Sequence, residues 1–192
     1  QLCEYTPKTP EAPKVFPLPQ QFRFEKALEL LEKSERPFLY TGGGVISSGA
    51  AEEVAKLAEK LDAPVASSLM CQGGFDQTNE RYMGMLGMHG TKTAALALQN
   101  CDLFVSVGTR FSDRVTCNAD LFARHCPVIQ IDIDPAEFNK NIEVDVKLKG
   151  DAKAIVQELL NRLPQKENWA WMNRIHQWQK KYPLVQQPGR EG

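Results

Sequence analysis

Residues 37–61, PFLYTGGGVISSGAAEEVAKLAEKL, decide the fold, because they hold a strand, a turn and a helix in one short stretch. Phe38-Leu39-Tyr40 is an apolar run that follows Pro37 and leads into three glycines, as a buried strand does. Ser47 and Ser48 are candidate N-caps of the helix that follows. Four apolar residues recur at the spacing of one helix face: Val54, Leu57, Ala58 and Leu61. The stretch therefore predicts a strand that passes through a glycine-rich turn into an amphipathic helix.

The same alternation of strand and helix continues along the chain. Further apolar runs predict strands at residues 64–70, 103–107, 128–133 and 143–148. Apolar residues at helical spacing predict helices before Pro37, at residues 91–99, after Asp151 and at about 168–182. No element is predicted for the glycine- and methionine-rich residues 71–90. Because strands joined through helices pair in parallel, the predicted fold class is α/β: a Rossmann-like, doubly wound, mainly parallel sheet of five to six strands with helices on both faces.

The length and the composition of both ends predict one folded domain between two linkers. The chain has 192 residues, enough for one domain of about 150 residues with tails. The proline-rich residues 1–20 predict an N-terminal linker, residues 21–183 the domain itself, and residues 184–192 a C-terminal linker. The chain begins at Gln1 and not at a methionine, which is expected either of an internal domain of a larger protein, the interpretation that we favour, or of a processed small protein.

Composition and charge exclude several classes of function. The 23 Lys and Arg residues nearly balance 24 Asp and Glu residues, so the chain has no basic field for nucleic acid or an anionic membrane. No apolar run approaches the ~18 residues of a membrane span. The five cysteines form no C-x-x-C pair and the three histidines have no partner spacing, so neither a disulfide framework nor a metal site is predicted. We therefore expect a cytoplasmic protein that binds neither nucleic acid nor membrane.

Residues suited to ligand binding follow the predicted strands. The sequence has no nucleophile elbow, no H-E-x-x-H and no Walker lysine, so no catalytic residue is predicted. Five segments follow the strands: Gly42-Gly43-Gly44, Ser67-Ser68-Leu69-Met70, Gly108-Thr109-Arg110, Asp132-Ile133-Asp134 and Gly150-Asp151. Doubly wound sheets bind ligands outside the carboxyl ends of their strands. The pattern therefore predicts a domain that binds a nucleotide-like cofactor.

The glycines and the carboxylates each have two interpretations. Three glycines can expose N–H groups to a ligand, or they can close a tight turn. Glu52 and Glu53, in the first helical turn, would repel a diphosphate, so a neutral part of any ligand should cross the glycines. Asp132 can accept a hydrogen bond from a ribose hydroxyl, or the acidic pair that it forms with Asp134 can start a turn before Pro135.

The arginines and the methionines also have two interpretations. Arg110 and Arg114 would share one side of the segment RFSDRVT if it were either extended or helical, which suits a diphosphate. The alternative is a surface ion-pair network around Asp113. Residues 83–90 can line a flat ligand pocket or fill the core with methionine, and His89 can donate to a ligand or be structural.

Four segments together resemble one known family. They are TGGGVI at 41–46, MLGMHG at 85–90, GTRFSDRVT at 108–116 and IDIDPAE at 131–137. In this order, and within residues 21–183, they resemble the central, FAD-binding domain of the large catalytic subunit of acetolactate synthase (acetohydroxyacid synthase). That family consists of thiamine-diphosphate-dependent enzymes with three domains.

The resemblance implies an activity that belongs to a longer protein. Family members decarboxylate pyruvate and join the product to pyruvate or 2-ketobutyrate, which feeds branched-chain amino-acid biosynthesis. Thiamine diphosphate and Mg²⁺ lie between the other two domains of paired subunits, whereas FAD binds in the central domain. The implied partners are the N-terminal and C-terminal thiamine-diphosphate domains, a second subunit of a homodimer or tetramer, and a regulatory subunit. The resemblance implies that this chain is not catalytic alone.

The resemblance also implies which residues contact FAD. The flavin and ribityl side would pass Gly42, Gly43 and Gly44. The same ligand would be lined by Ser68, Leu69, Met70, Leu86, Gly87, Met88 and His89. The middle of the cofactor would meet Gly108, Arg110, Arg114 and Val115. The adenosine end would meet Asp132, Ile133, Glu137, Gly150 and Asp151.

Several departures from the family pattern are present, and two of them, Ser112 and Cys117, motivate one of three alternative functions, a decayed cofactor site. Ser112 stands where the family usually has Asp, and Cys117 and Asn139 each stand where it usually has glycine. One alternative is the central domain of a related enzyme such as glyoxylate carboligase. Another is an NAD-binding, sirtuin-like domain, although the cysteines do not form its zinc cluster. A third is an assembly module whose cofactor site has decayed.

Overall fold

A six-stranded sheet, in which every neighbouring pair of strands is parallel, forms the centre of the molecule. The computed structural model describes residues 17–120 and 122–184. The strands are β1 (Pro37–Thr41), β2 (Val65–Ser67), β3 (Tyr82–Met85), β4 (Leu103–Val107), β5 (Val128–Asp132) and β6 (Val146–Lys149). Their order across the sheet is β3-β2-β1-β4-β5-β6. The predicted α/β class, with a parallel, doubly wound sheet, is confirmed.

Seven helices among the described residues connect and cover the strands. They are α1 (Gln21–Lys33), α2 (Gly43–Ser47), α3 (Ala51–Leu61), α4 (Lys92–Asn100), α5 (Asp113–Thr116), α6 (Ala152–Arg162) and α7 (Trp169–Lys181). Two short 3₁₀ turns lie at Leu69–Cys71 and Pro135–Glu137. In the part of the chain that the structure describes, no helix combines the length and the apolar character needed to cross a bilayer.

Each face of the sheet carries its own apolar core. On one face, α1, α3 and α6 pack their apolar stripes against alternate residues of the central strands, such as Leu39 and Val105. On the other face, α4 and α7 pack against Phe38 and Phe104. The indole Nε1 of Trp171 in α7 donates to the carbonyl oxygen of Pro37, 3.0 Å away, which fixes this helix on the first strand. Helices therefore cover both faces, as predicted.

Two local predictions are wrong. Ser47 and Ser48 do not cap a helix start, because α2 occupies the turn after β1 and the N-cap of α3 is Ala50. The hydroxyl of Ser48 instead donates back to the carbonyl oxygen of Gly44 at 2.7 Å. The second predicted strand, at 64–70, is shorter than expected, since it ends at Ser67 before a 3₁₀ turn.

Strand β3 was not predicted, and it accounts for the sixth strand of the sheet. It lies inside residues 71–90 and pairs with β2 at the sheet edge through a shifted register. Gly84 within it has φ +83°, and a Cβ added to it would clash with the side chain of Thr91. Glycine has a low strand propensity, and Gly84 inside β3 interrupts the alternation of side chains that would predict a strand.

Candidate functional site

The carboxyl edge of the sheet opens between β1 and β4, where the order of the strands across the sheet reverses. Strand β1 has β2 on one side and β4 on the other, so the connections after β1 and β4 leave the sheet toward opposite faces. In doubly wound folds a crevice forms at this reversal, and ligands bind in it. The turn after β1 holds Gly42, Gly43 and Gly44, and the turn after β4 starts with Gly108.

The two turns touch each other directly through their backbones. The N–H of Gly42 donates to the oxygen of Val107 at 2.9 Å, and the N–H of Gly44 donates to the oxygen of Gly108 at 3.0 Å. A Cβ on Gly42 would lie against the oxygen of Gly108 and 2.6 Å from the Cα of Thr109. A Cβ on Gly44 would lie 2.6 Å from the Cα of Gly108. Both glycines are therefore required by the turn itself, and their N–H groups are already used.

Gly43 is different, because a Cβ on it would lie against Met70 and not against the turn after β4. A Cβ there would lie 3.3 Å from the Cβ of Met70, a tight contact, and 3.5 Å from the backbone oxygen of Met70. Its bare Cα is therefore not demanded by the contact between the two turns. Of the three glycines, Gly43 is therefore the candidate for close approach of a ligand to the backbone.

Four strand ends meet around a small cavity at this edge. Its volume is about 120 Å³, and six of the residues predicted from the sequence line it: Gly44, Gly108, Asp132, Ile133, Gly150 and Asp151. Ile133 and Gly150 also line a neighbouring cavity of about 580 Å³, together with the basic residues Arg23, Lys147 and Lys149. The two cavities therefore adjoin, and they extend along the ends of β5 and β6.

Asp132 is a buried carboxylate at the end of β5. Its Oδ1 accepts a hydrogen bond from the N–H of Asp134 at 2.9 Å, and its own carbonyl accepts one from the N–H of Gly150 at 3.0 Å. Burial raises the pKa of the Asp132 carboxyl above its ordinary value. Asp134 starts the next turn, since its side chain accepts from the N–H of Ala136. The turn interpretation is confirmed for Asp134, whereas Asp132 lines the cavity.

Asp151 acts as a helix cap, as its position before α6 indicated. Its Oδ1 accepts from the N–H of Ala154 at 3.0 Å, one of the first four N–H groups of α6 that lack a helical partner. The remaining surface of Asp151 lines the small cavity. Capping and ligand contact are therefore compatible at this residue.

Residues 110–116 are neither extended nor helical over their whole length. Arg110 lies in a loop, and a helix starts only at Asp113 and lasts four residues. The Nε of Arg110 is 3.7 Å from the carboxylate of the buried Glu137, which also binds Lys140 at 3.0 Å. The carboxylate of Asp113 accepts from the N–H of Arg114, so the ion-pair network is centred on Glu137 and not on Asp113. The guanidinium of Arg114 is exposed, with no ion pair to any described residue.

The methionine-rich loop divides into core and surface residues. Met83 and Leu86 are buried in the core, whereas Met88 and His89 are exposed. The N–H of Met88 donates to the oxygen of Arg114 at 2.8 Å. Gly87, with φ +113°, is close enough to α5 that a Cβ would lie 2.9 Å from the Cα of Val115. The loop is thus held against α5. Met83 fills the core, whereas Met88 is exposed and remains a candidate for ligand contact.

Large apolar side chains are exposed along the same edge. Leu69, Met70 and Met88 are 72%, 74% and 65% exposed, and each follows the carboxyl end of a strand. Ser68 precedes them and is half-buried. Two features of this edge were not predicted from the sequence: Ile46, which is 49% exposed in α2, and the basic residues of the larger cavity. The exposure of Ile46 follows from α2, the helix that the sequence did not predict.

Two of the departures from the family pattern occupy glycine-like backbone. Cys117 has φ +54° and Asn139 has φ +58°. Few residues other than glycine adopt such angles, although asparagine tolerates them. The side-chain oxygen of Asn139 accepts from the N–H of Val144 at 3.0 Å, which helps to hold its conformation. Both positions therefore retain the backbone that a glycine would give.

Known proteins match most of this chain in sequence. Residues 24–159 match the family described as thiamine pyrophosphate enzyme, central domain. An acetolactate synthase large subunit from Cyanidium caldarium is 43% identical over 169 residues, which are 84% of this chain and 29% of that protein. A probable acetolactate synthase large subunit from Methanocaldococcus jannaschii is 42% identical over 182 residues, 93% of this chain and 29% of that protein.

A third relative extends the comparison to another lineage. An acetolactate synthase from Mycobacterium bovis is 41% identical over 183 residues, 91% of this chain and 29% of that protein. The chain thus spans less than a third of the length of these curated relatives. The family match covers most of the domain, so the chain belongs to the thiamine pyrophosphate enzyme family and corresponds to its central domain.

Proposed function

We propose that the chain is the FAD-binding central domain of an acetolactate synthase, the thiamine-diphosphate-dependent carboligase. The names of the relatives support this enzyme over glyoxylate carboligase or a sirtuin-like domain. One observation carries the FAD assignment. Four strand ends meet around adjoining cavities at the edge where the strand order reverses. An extended dinucleotide fits such an edge, because each strand end can contact a different part of it.

The residues at this edge fit the chemistry of FAD. Gly43 and the exposed Met70 and Met88 offer a neutral, polarisable surface to the flavin ring. Arg110 and Arg114 supply guanidinium groups for the diphosphate. The buried Asp132 supplies an acceptor for a ribose hydroxyl.

The acidic start of α3 is compatible with this placement. Glu52 pairs with Lys56 at 2.6 Å, and Glu53 pairs with Lys153 of α6 at 3.3 Å. These ion pairs offset the negative charge near the glycines. A neutral part of the cofactor can therefore cross Gly43, with the diphosphate closer to the arginines.

Catalysis belongs to the rest of the enzyme. Thiamine diphosphate would supply carbanion stabilisation for pyruvate decarboxylation, held with Mg²⁺ by the other two domains of paired subunits. The residues of this chain bind and orient FAD, which takes no part in the net redox balance of the reaction. A homodimer or tetramer, a regulatory subunit and a cytoplasmic location complete the proposal.

Direct titration tests the FAD assignment. We expect FAD added to the purified chain to bind with measurable but weak affinity and a change in flavin fluorescence, because neighbouring domains normally help to enclose it. NAD should not compete. Pyruvate with thiamine diphosphate and Mg²⁺ should yield no acetolactate. NAD binding without FAD binding would favour a sirtuin-like domain, binding of neither would favour a decayed site, and turnover would refute the division of labour between domains.

The variant Asp132→Asn should separate stability from cofactor binding. Burial raises the pKa of this carboxyl in the folded protein above its unfolded value of about 3.9. The folded protein therefore loses stability as the pH rises from the unfolded pKa through the folded pKa, because the buried carboxyl must ionise. Asparagine keeps the acceptor for Asp134 without the charge, so the melting temperature should rise at neutral pH and the gain should vanish in acid. FAD affinity should fall about tenfold, since a charged acceptor is lost.

Thermal unfolding across neutral and acidic buffers, paired with FAD titration, measures both effects. Asp134→Asn is the matched control, because this exposed aspartate also accepts a backbone hydrogen bond in the turn. A variant of Asp132 that is less stable than the parent at every pH, with unchanged FAD affinity, would contradict the assignment.

A further inference from the structure

A second cluster of reactive side chains lies at the opposite, amino-terminal edge of the sheet. The Sγ atoms of Cys101 and Cys126 and an imidazole nitrogen of His125 all lie within 4.8 Å of one another. The two sulfur atoms are 3.6 Å apart. Neither the proposed cofactor site nor the resemblance to the family uses these three residues.

The sheet register brings the three residues together. Phe104 of β4 pairs with Val128 of β5. Three residues before this pair stand Cys101 and His125, and one residue after His125 stands Cys126. Because the two strands are parallel neighbours, the segments that enter them arrive side by side. The sequence gives no local sign of this, since the cysteines are 25 positions apart.

Further hydrogen bonds hold the cysteines in place. Cys101 follows α4, and its N–H donates to the oxygen of Ala97 in that helix. The Sγ of Cys101 is 3.1 Å from the oxygen of Leu98. The N–H of Cys126 donates to the oxygen of Ala123. Cys101 is 2% exposed and Cys126 is 9% exposed. The two thiols therefore have fixed positions on ordered backbone.

We propose that Cys101, Cys126 and His125 form a binding site for Zn²⁺. With Zn–S bonds of about 2.3 Å, tetrahedral geometry places two thiolate sulfurs about 3.8 Å apart, close to the distance found here. Two thiolates and an imidazole are ligands that suit this ion. His125 and Cys126 also line an open cavity of about 730 Å³, so a water molecule can take the fourth position.

Nearby carboxylates favour a cation at this edge. Asp145 lines the same cavity, and its Oδ2 accepts from the N–H of Val128, two residues after Cys126, at 2.8 Å. Asp102 follows Cys101 directly and accepts from the N–H groups of Glu35 and Arg36. Both carboxylates are tied to backbone donors close to the cysteines, so they add negative charge around the proposed ion.

A metal ion explains the cluster better than a disulfide does. A disulfide requires sulfur atoms about 2.05 Å apart, well below the separation here, and makes no use of an imidazole. An ion uses all three groups at their present spacing. It would fasten the turn after α4 to the segment before β5, at the edge of the sheet away from the cofactor.

Cobalt substitution tests the site in the purified, reduced and metal-free protein. We expect one Co²⁺ per chain, with a thiolate-to-cobalt charge-transfer band that Zn²⁺ abolishes. Cys101→Ser should weaken Zn²⁺ affinity by about 100-fold or more, since even outer partners of metal ligands cost 10–100-fold. His125→Gln should weaken it by at least about tenfold. This second variant changes an exposed side chain and so should keep the fold.

Cys117→Ser is the matched control, because Cys117 is an exposed cysteine outside the cluster. The Zn²⁺ affinity of this variant should equal that of the parent. Three results would overturn the proposal: a cobalt spectrum without the thiolate band, equal Zn²⁺ affinity in the parent and Cys101→Ser, or a Cys101–Cys126 disulfide in a protein that does not retain Zn²⁺.

Discussion

Gly42→Ala should lower the free energy of unfolding by about 3 kcal/mol or more, whereas Gly43→Ala, one residue later, should lower it by less than about 1 kcal/mol. The added methyl group of Gly42→Ala would meet the backbone of Gly108 and Thr109, which cannot move without separating β1 from β4. The methyl group of Gly43→Ala would lie 3.3 Å from the Cβ of Met70, a tight contact that a shift of Met70 by a few tenths of an ångström relieves. Chemical denaturation of both variants measures the difference.

The same pair of variants separates the two roles assigned to these glycines. Gly43→Ala should retain the fold and lose FAD affinity, because it places a methyl group where the ligand is proposed to cross. Gly49→Ala is a further control, since Gly49 has φ +64° and no atom within 4 Å of an added Cβ, so its cost should come from backbone strain alone. Equal destabilisation by Gly42→Ala and Gly43→Ala would show that the contact with Gly108 does not limit the turn.

Arg114→Gln should weaken FAD binding by roughly 10- to 100-fold, because a hydrogen bond to a charged group contributes about 1.5–3 kcal/mol. The side chain is exposed and forms no ion pair with any residue in 17–120 or 122–184, so the ligand-free melting temperature should stay the same. Fluorescence titration at low and high salt measures the effect. The loss should shrink as salt rises, because salt screens the attraction between guanidinium and diphosphate.

Arg124→Gln is the matched control for Arg114→Gln. Arg124 is also exposed, with a long contact of 3.6 Å to Asp120, and it lines the cavity at the other edge of the sheet. It should leave FAD affinity unchanged. An equal loss of affinity in both variants would point to a general effect of net charge, and no loss in either would remove Arg114 from the diphosphate site.

The sequence predicted most of the fold because its central strands are buried on both faces. Strands β1, β4 and β5 are continuous runs of buried residues, and such runs are visible in a single sequence. Strand β3 was not predicted because Gly84 interrupts its pattern of apolar residues. Helix α2 escaped notice because it starts at glycines that also suit a loop.

The candidate site was predictable where it depends on strand ends. Gly44, Gly108 and Gly150 follow three strands and Asp132 ends a fourth, and parallel pairing alone brings them to one edge. The path of residues 110–116 was not predictable, because it depends on long-range contacts such as the hydrogen bond from Asn141 Nδ2 to the oxygen of Phe111. The meeting of Cys101 with Cys126 was equally hidden, since it requires the register of β4 against β5.

The direct contact between the turns after β1 and β4 has a consequence for recognition. With the main chain of Gly44 packed on that of Gly108, the floor of the crevice has its final shape before any ligand arrives. The entropy of ordering that floor is lost during folding and is not subtracted again from the affinity. Only exposed side chains such as Met70 and Arg114 need to change conformation when a cofactor binds. The crevice therefore behaves as a rigid receptor.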